Sequence, residues 1–196
     1  RLRVIGLCDA PYTMHKLTAQ ALNTPMDDVD AQYVGMHHFG WITSALVSGA
    51  ERLPDALADD AVCRALGLEP EIGRVIGAVP HPYFRYFFHP DRMLAKQRSA
   101  SQPRARELQQ LEAELLAAYE RHRGPGKPEA VARRSAIWYE AVVVPVLAAL
   151  AFGVPARLAV NIANDGRVDG LPDDTIIEIT ADIANGKICA APPRRL

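Results

Sequence analysis

The chain has 196 residues, 49% of them hydrophobic and 23% charged, with a formal net charge of -1. That is enough material for one domain with a real core, and the near-neutral balance excludes a basic nucleic-acid surface or a polybasic membrane surface. The most apolar stretch, Ala141 to Phe152, is too short to cross a bilayer and contains Pro145, so it predicts a buried helix.

The chain opens at Arg1, without a methionine, and enters the apolar run Val4-Ile5-Gly6-Leu7 at once, as expected of a segment taken from something longer. No signal peptide opens it, and Cys8, Cys63 and Cys189 are too few and too scattered for a disulfide framework, so a reducing cytoplasm is expected. Leu2 to Leu7 predicts a strand. Pro11 then introduces a helical pattern, Tyr12 to Leu22, with Met14, Leu17 and Leu22 on one side. Asn23-Thr24 before Pro25 ends it. Ala31 to Met36 and Gly40 to Val47 predict two strands around a His-Phe-Gly bend. Asp55 to Leu66 predicts a short helix closed by Gly67, Glu71 to Val79 another, and Tyr83 to Arg98 a largely helical, aromatic-rich run.

Arg104 to Arg123 has the clearest helical period, with Leu108, Leu111, Leu115 and Tyr119 on one face. Gly124-Pro125-Gly126 breaks it, and a second long helix is expected from Pro128 to about Leu150. Beyond Gly153 and Pro155 the pattern turns to strands: Arg157 to Ile162, Thr175 to Thr180 and Lys187 to Ala190. Strands toward both ends with long helices between them predict an α+β fold with a mixed or antiparallel sheet, in one domain covering residues 1–196. No Gly-x-Gly-x-x-Gly occurs, so the chain carries no dinucleotide-binding fingerprint.

Cys8 and Asp9 close the first strand, at a strand end of the kind that often carries reactive side chains. A cysteine there is more often a small buried hydrophobe. It becomes a thiolate ligand only if a histidine is brought beside it, and His37-His38, at the bend between two strands, can supply one. Cysteine with histidine suits zinc, manganese or iron, while the lack of short ligand spacing excludes a structural zinc site. Tyr83 and Tyr86 share a helical face beside Arg85, which leaves two accounts open. One is an aromatic core stripe; the other is a tyrosine base whose phenol is activated by a cation or metal. Arg104 and Arg106 mark either a solvated helix start or a fork for phosphate.

Four blocks in order resemble the carboxy-terminal half of the family 4 glycosidases. They are Gly6-Leu7-Cys8-Asp9-Ala10-Pro11, Gly35-Met36-His37-His38-Phe39-Gly40-Trp41-Ile42, Pro80 to Phe88, and the loop from Asn164 to Asp174. The resemblance implies a lactate/malate dehydrogenase-like carboxy-terminal domain, with an NAD-binding amino-terminal domain outside this chain. It implies hydrolysis of a phosphorylated glucoside or disaccharide by oxidation at carbon 3, elimination, addition of water and reduction, with NAD and a divalent metal, typically manganese. This is the exception to paired-carboxylate hydrolysis. By the same resemblance Cys8 and His38 ligate the metal, Tyr83 is the base, and Asp9 matches the acid that protonates the leaving oxygen in the α-acting members. Arg104 and His37 meet the substrate, and no residue of this chain is assigned to NAD.

The chain departs from the family pattern in places. His37 stands where the family usually has asparagine. Asp9 resembles the phospho-α-glucosidases, whereas Gly77-Ala78-Val79-Pro80 and Arg85-Tyr86 resemble the phospho-β-glucosidases, toward which the reading leans. A homo-oligomer is expected, with neither nucleic acid nor membrane as partner. Two other readings compete: a non-catalytic oligomerisation domain using the long helices between Arg104 and Leu150, and a relative of the lactate or malate dehydrogenases, which the cysteine–histidine pair with Tyr83 disfavours.

Overall fold

The computed structural model describes residues 4–134 and 138–190. Seven strands, β1 (Val29–Met36), β2 (Phe39–Val47), β3 (Ala50–Glu51), β4 (Val79–Pro80), β5 (Ala156–Ala163), β6 (Ile176–Ala184) and β7 (Lys187–Ala190), form one sheet. Its order is β3-β2-β1-β6-β5, with β4 also paired to β2 and β7 to β6. Every pairing is antiparallel. The α+β expectation therefore takes its antiparallel form.

Helix α1 (Ala10–Ala21) begins with Pro11 in its first turn, where a missing N–H is harmless. Its buried positions Pro11, Met14, Thr18 and Ala19 recur at helical spacing and close over a core containing Leu22, Tyr33, Ile42 and Val79. Three short helices, α2 (Leu53–Ala58), α3 (Asp60–Ala65) and α4 (Pro70–Ile76), complete this layer. The single helix expected over Asp55 to Leu66 is thus two, because Asp59 leaves the helical conformation and its carboxylate caps the N–H of Ala61. Helix α4 stops before Val79 because Gly77 turns left-handed at its end, which frees Val79 and Pro80 to join the sheet.

The expected run from Tyr83 to Arg98 is also divided. A 3-10 turn (Pro82–Phe84) leads into α5 (Arg85–Phe88), and after His89 the chain restarts as α6 (Pro90–Ser99). Proline at position 90 disfavours helix in the residue before it. Only Phe84 of the aromatic run is buried, while Tyr83, Tyr86, Phe87 and Phe88 are exposed. An aromatic core stripe is therefore not what these side chains form.

Helix α7 (Arg104–Arg121) follows expectation in extent, but of its apolar face only Leu111 is buried. The second long helix is interrupted. It consists of α8 (Ala130–Arg134), a π-helical turn (Tyr139–Val143) and α9 (Val144–Phe152), and residues 135–137 of the expected run lie outside the described residues. Val146 and Ala149 of α9 pack on Val160, Ala181 and Ile183. Of the expected first strand, Leu2 and Arg3 lie outside the described residues, and the described part, from Val4 to Leu7, carries one antiparallel bridge, Gly6 with Asn161. No described helix is long and apolar enough to cross a membrane.

β6 lies inside the sheet, between β1 and β5. Its residues Ile177, Glu178, Ile179, Thr180 and Ala181 are all buried, as expected of a strand covered on both faces. Its ladder to β1 is short, Val34 with Ile179 and Gly35 with Glu178, and the Thr180 hydroxyl extends it by accepting the N–H of Tyr33 at 2.8 Å. The loop between β5 and β6 is tied by Asn164. Its Nδ2 donates to the carbonyls of Val168 and Leu171, and its Oδ1 accepts the N–H of Val168. A buried amide with all its groups engaged explains an asparagine at the head of this loop.

Candidate metal centre

β1 and β2 meet in a two-residue turn, His37-His38, because Met36 pairs directly with Phe39. His38 takes a left-handed φ of 64°, uncommon for a residue with a Cβ. Just behind the turn, Gly35 faces Gly40 so closely that a Cβ on Gly35 would lie 2.3 Å from the Gly40 Cα. A Cβ on Gly40 would lie 2.5 Å from the Tyr33 hydroxyl. Two glycines thus let the hairpin tip close over the Tyr33 ring and hold both imidazoles at the sheet's edge.

Cys8 reaches the same place from the start of α1. One donor atom each from Cys8, His37 and His38 lie within 4.8 Å of one another, the one such group among the described residues. The two imidazoles stack at 3.8 Å. Sγ of Cys8 accepts the N–H of Ala10 at 3.5 Å and stands 3.8 Å from Oδ1 of the exposed Asp9. Burial, joined by the negative charges of Glu178 and Asp9, pushes the Cys8 thiol up to about 11. Burial also lowers the pKa of His38, with His37 adding to the effect.

Three further residues were not singled out by the sequence. Glu178 is fully buried on β6, with Oε1 accepting Asn161 Nδ2 at 2.8 Å and standing 3.5 Å from Nδ1 of His37. Its Oε2 has no partner. A charged residue inside the apolar run Ile176 to Ile179 was the visible sign of it. Tyr33, also buried, has a hydroxyl without a hydrogen bond of ordinary geometry; burial and then the Glu178 charge raise its pKa. His81 is fully buried, its Nδ1 accepting the N–H of Tyr83 and its Nε2 unpartnered.

Tyr83 packs edge-on against His38 at 4.6 Å and against His81 at 5.1 Å. Half-exposed, it borders a cleft of about 460 Å³ shared with His38, Phe39, Tyr86 and Phe87. A larger cavity of about 590 Å³ runs from Cys8 past His15 to Val142 and Arg157, but it touches Cys8 alone of the cluster. Cys8, Asp9, His37, His38 and Tyr83 therefore come together, whereas Arg104 does not join them. Its guanidinium pairs with Glu107 one turn along α7, and among the described residues no ion pair or hydrogen bond ties it to the cluster.

The residues present fit a divalent transition ion. One thiol and two imidazoles are borderline-to-soft donors suited to such metals. A dication would also offset the negative charge that Glu178 and a Cys8 thiolate would place beside the two imidazoles.

The family model described as the family 4 glycosyl hydrolase C-terminal domain matches residues 33–190. A probable 6-phospho-beta-glucosidase of Bacillus subtilis (strain 168) is 25% identical over 189 residues, covering 90% of this chain and 43% of the relative. The fold matches that of the Thermotoga maritima 6-phospho-beta glucosidase solved with manganese, NAD+ and glucose-6-phosphate, at a TM-score of 0.79 and 23% identity over 96% of this chain and 44% of that one. It also matches a 6-phospho-alpha-glucosidase from gut microorganisms solved with NAD and glucose-6-phosphate, at a TM-score of 0.77 and 19% identity over 99% of this chain and 47% of that one. The chain thus spans under half the length of the relatives it matches.

Proposed function

The chain belongs to the family 4 glycosyl hydrolases, and we propose that it is the substrate- and metal-binding domain of a 6-phospho-β-glucosidase whose NAD is held mainly by another domain. The observation that carries this reading is the convergence of Cys8, His37 and His38 at a hairpin tip bordered by Tyr83. The curated relatives, all named as 6-phospho-beta-glucosidases, support the substrate class. Manganese, NAD+ and glucose-6-phosphate in the Thermotoga maritima relative support the cofactors and a phosphorylated sugar.

A bound metal would supply Lewis acidity to the sugar's oxygens, and NAD, held mainly by another domain, would supply the redox chemistry at carbon 3. Cys8 and His38 would hold the metal, with manganese the expected ion. Tyr83, at the mouth beside His38, would act as its phenolate, taking the proton from carbon 2 to become the phenol. Asp9, next to the ligand cysteine and open to solvent, protonates the leaving oxygen. Arg104 serves the substrate's anionic group only if its pair with Glu107 opens. His37 lines the same mouth. A thiol ligand also requires reducing conditions, in keeping with a cytoplasmic enzyme.

In the complete enzyme, turnover in deuterated water should place deuterium at carbon 2 of the product. Tyr83→Phe should lower turnover by about 10²–10⁴-fold while metal affinity, read by calorimetry, stays near the parent value. Hydrolysis without NAD and without deuterium uptake would defeat the reading. The α-anomer is the competing substrate because Asp9 matches the phospho-α-glucosidases. Paired assays on 4-nitrophenyl α- and β-glucoside 6-phosphates decide between them.

A further inference from the structure

The surroundings of His37 resemble a ligand's more than a substrate contact's. Its ring stacks on His38, and its donor lies within the same 4.8 Å group as those of Cys8 and His38. Nδ1 faces a carboxylate with no exposure to solvent, that of Glu178 at 3.5 Å. Glu178 is itself held in place, because Asn161 donates to its Oε1 and is anchored in turn by the backbone pairing of Asn161 with Gly6. Its second oxygen, Oε2, has no partner. Glu178 does not belong to the group of converging donors, so it stands behind the histidine rather than among the ligands. A buried carboxylate behind one nitrogen of a metal-ligating histidine is a common means of fixing its tautomer and ring orientation, and Glu178 stands at that place toward Nδ1 of His37.

We infer that His37 is a third protein ligand of the metal, presenting Nε2 while Nδ1 faces Glu178, so that the centre is Cys8–His37–His38 and its added imidazole raises affinity for cobalt or zinc more than for manganese. This rests on the reading of Cys8 and His38 as metal ligands. Three protein ligands leave at least one position open, the arrangement of a catalytic rather than a structural site. A second imidazole raises affinity most for the later ions of the Irving–Williams order. The left-handed φ of His38 supports the same conclusion. A backbone conformation that glycine adopts more easily is kept here with a side chain, in a turn that aims two rings at one point.

The test uses the whole 196-residue chain and cobalt(II) as the probe. Thiolate-to-cobalt absorption reports the sulfur, and X-ray absorption at the cobalt edge counts imidazoles. The expected result is one sulfur and two imidazoles, with cobalt bound at least about tenfold more tightly than manganese. His37→Asn, on a half-exposed turn, should leave one imidazole and weaken cobalt binding by about 10–100-fold. Glu178→Gln should weaken it over a similar range while keeping the sulfur band. If the parent chain shows a single imidazole and His37→Asn binds cobalt as the parent does, while Cys8→Ser and His38→Asn lose it, the inference is overturned and the cysteine–histidine pair stands. If Cys8→Ser keeps the sulfur band, or the parent binds no cobalt, the metal reading and this inference fall together.

Discussion

His81 sits fully buried behind the hairpin tip, and its Nδ1 accepts the N–H of Tyr83. Burial first, then the nearby His38, His37 and Arg85, lowers its pKa to about 4, against about 6.5 in an unfolded chain. Between those values the unfolded chain holds a proton on this ring that the folded chain does not. Stability therefore rises with pH across the window, is fully present above about 6.5, and is lost as pH falls toward 4. His15, half-buried with its Nε2 on the Val29 carbonyl, is shifted in the same direction, chiefly by loss of solvent, and adds to the slope. Urea unfolding at pH 7 and pH 4.5 should show the loss, and His81→Asn should show a smaller one. Whatever the substitution does to packing, it is the difference between the two pH values that reads the titration. An unchanged difference would exclude His81 as a contributor.

The hairpin of β1 and β2 is the element on which the site depends, and its glycines can be tested against each other. At Gly35 a Cβ would meet backbone atoms at 2.3 and 2.4 Å, with φ at 154°. Gly77 also has a positive φ, at 71°, but faces open space. Gly77→Ala should cost about 1 kcal/mol, the conformational term alone. Gly35→Ala adds a clash that only backbone movement can relieve, worth roughly another 1–3 kcal/mol, and should move the imidazoles apart. Equal losses in urea unfolding would mean that close approach at the tip is not what the glycine supplies. Both strands were legible in the sequence because alternation and a turn were both present. The candidate residues at the hairpin tip could be raised from strand ends but were assigned roles only through family resemblance, since nothing in local spacing brings Cys8 to His38. What was missed was non-local. β4 looked like the end of a helix because its pairing with β2 is tertiary, and the break at Asp59 came from a capping preference that helical periodicity does not show. Glu178 was hidden in a strand whose role depends on what packs against both its faces.

At the scale of the molecule, the unpaired surface carries the remaining information. The outer side of α9 exposes Val144 and Leu147, with Tyr139 before it and Phe152 and Val154 after it. Phe39, Tyr86, Phe87 and Phe88 are exposed around the candidate centre. Apolar area of this kind is normally covered by a partner or by further chain. The two patches need different covers. The aromatic one borders the cleft beside His38 and Tyr83, the proposed substrate entrance, so a second copy sealed over it would obstruct that proposed site. The α9 stripe lies on a helix whose opposite side packs Val146 and Ala149 into the sheet, which leaves its outer face free for association. The chain should therefore self-associate through α9, with its apparent mass in sedimentation equilibrium rising with concentration. Val144→Gln with Leu147→Gln should shift it toward monomer without loss of helical signal, because both side chains already face outward. Phe87→Ser should leave the association unchanged. A chain that stays monomeric at every concentration, or one dispersed by Phe87→Ser but not by the α9 pair, would place the interface elsewhere.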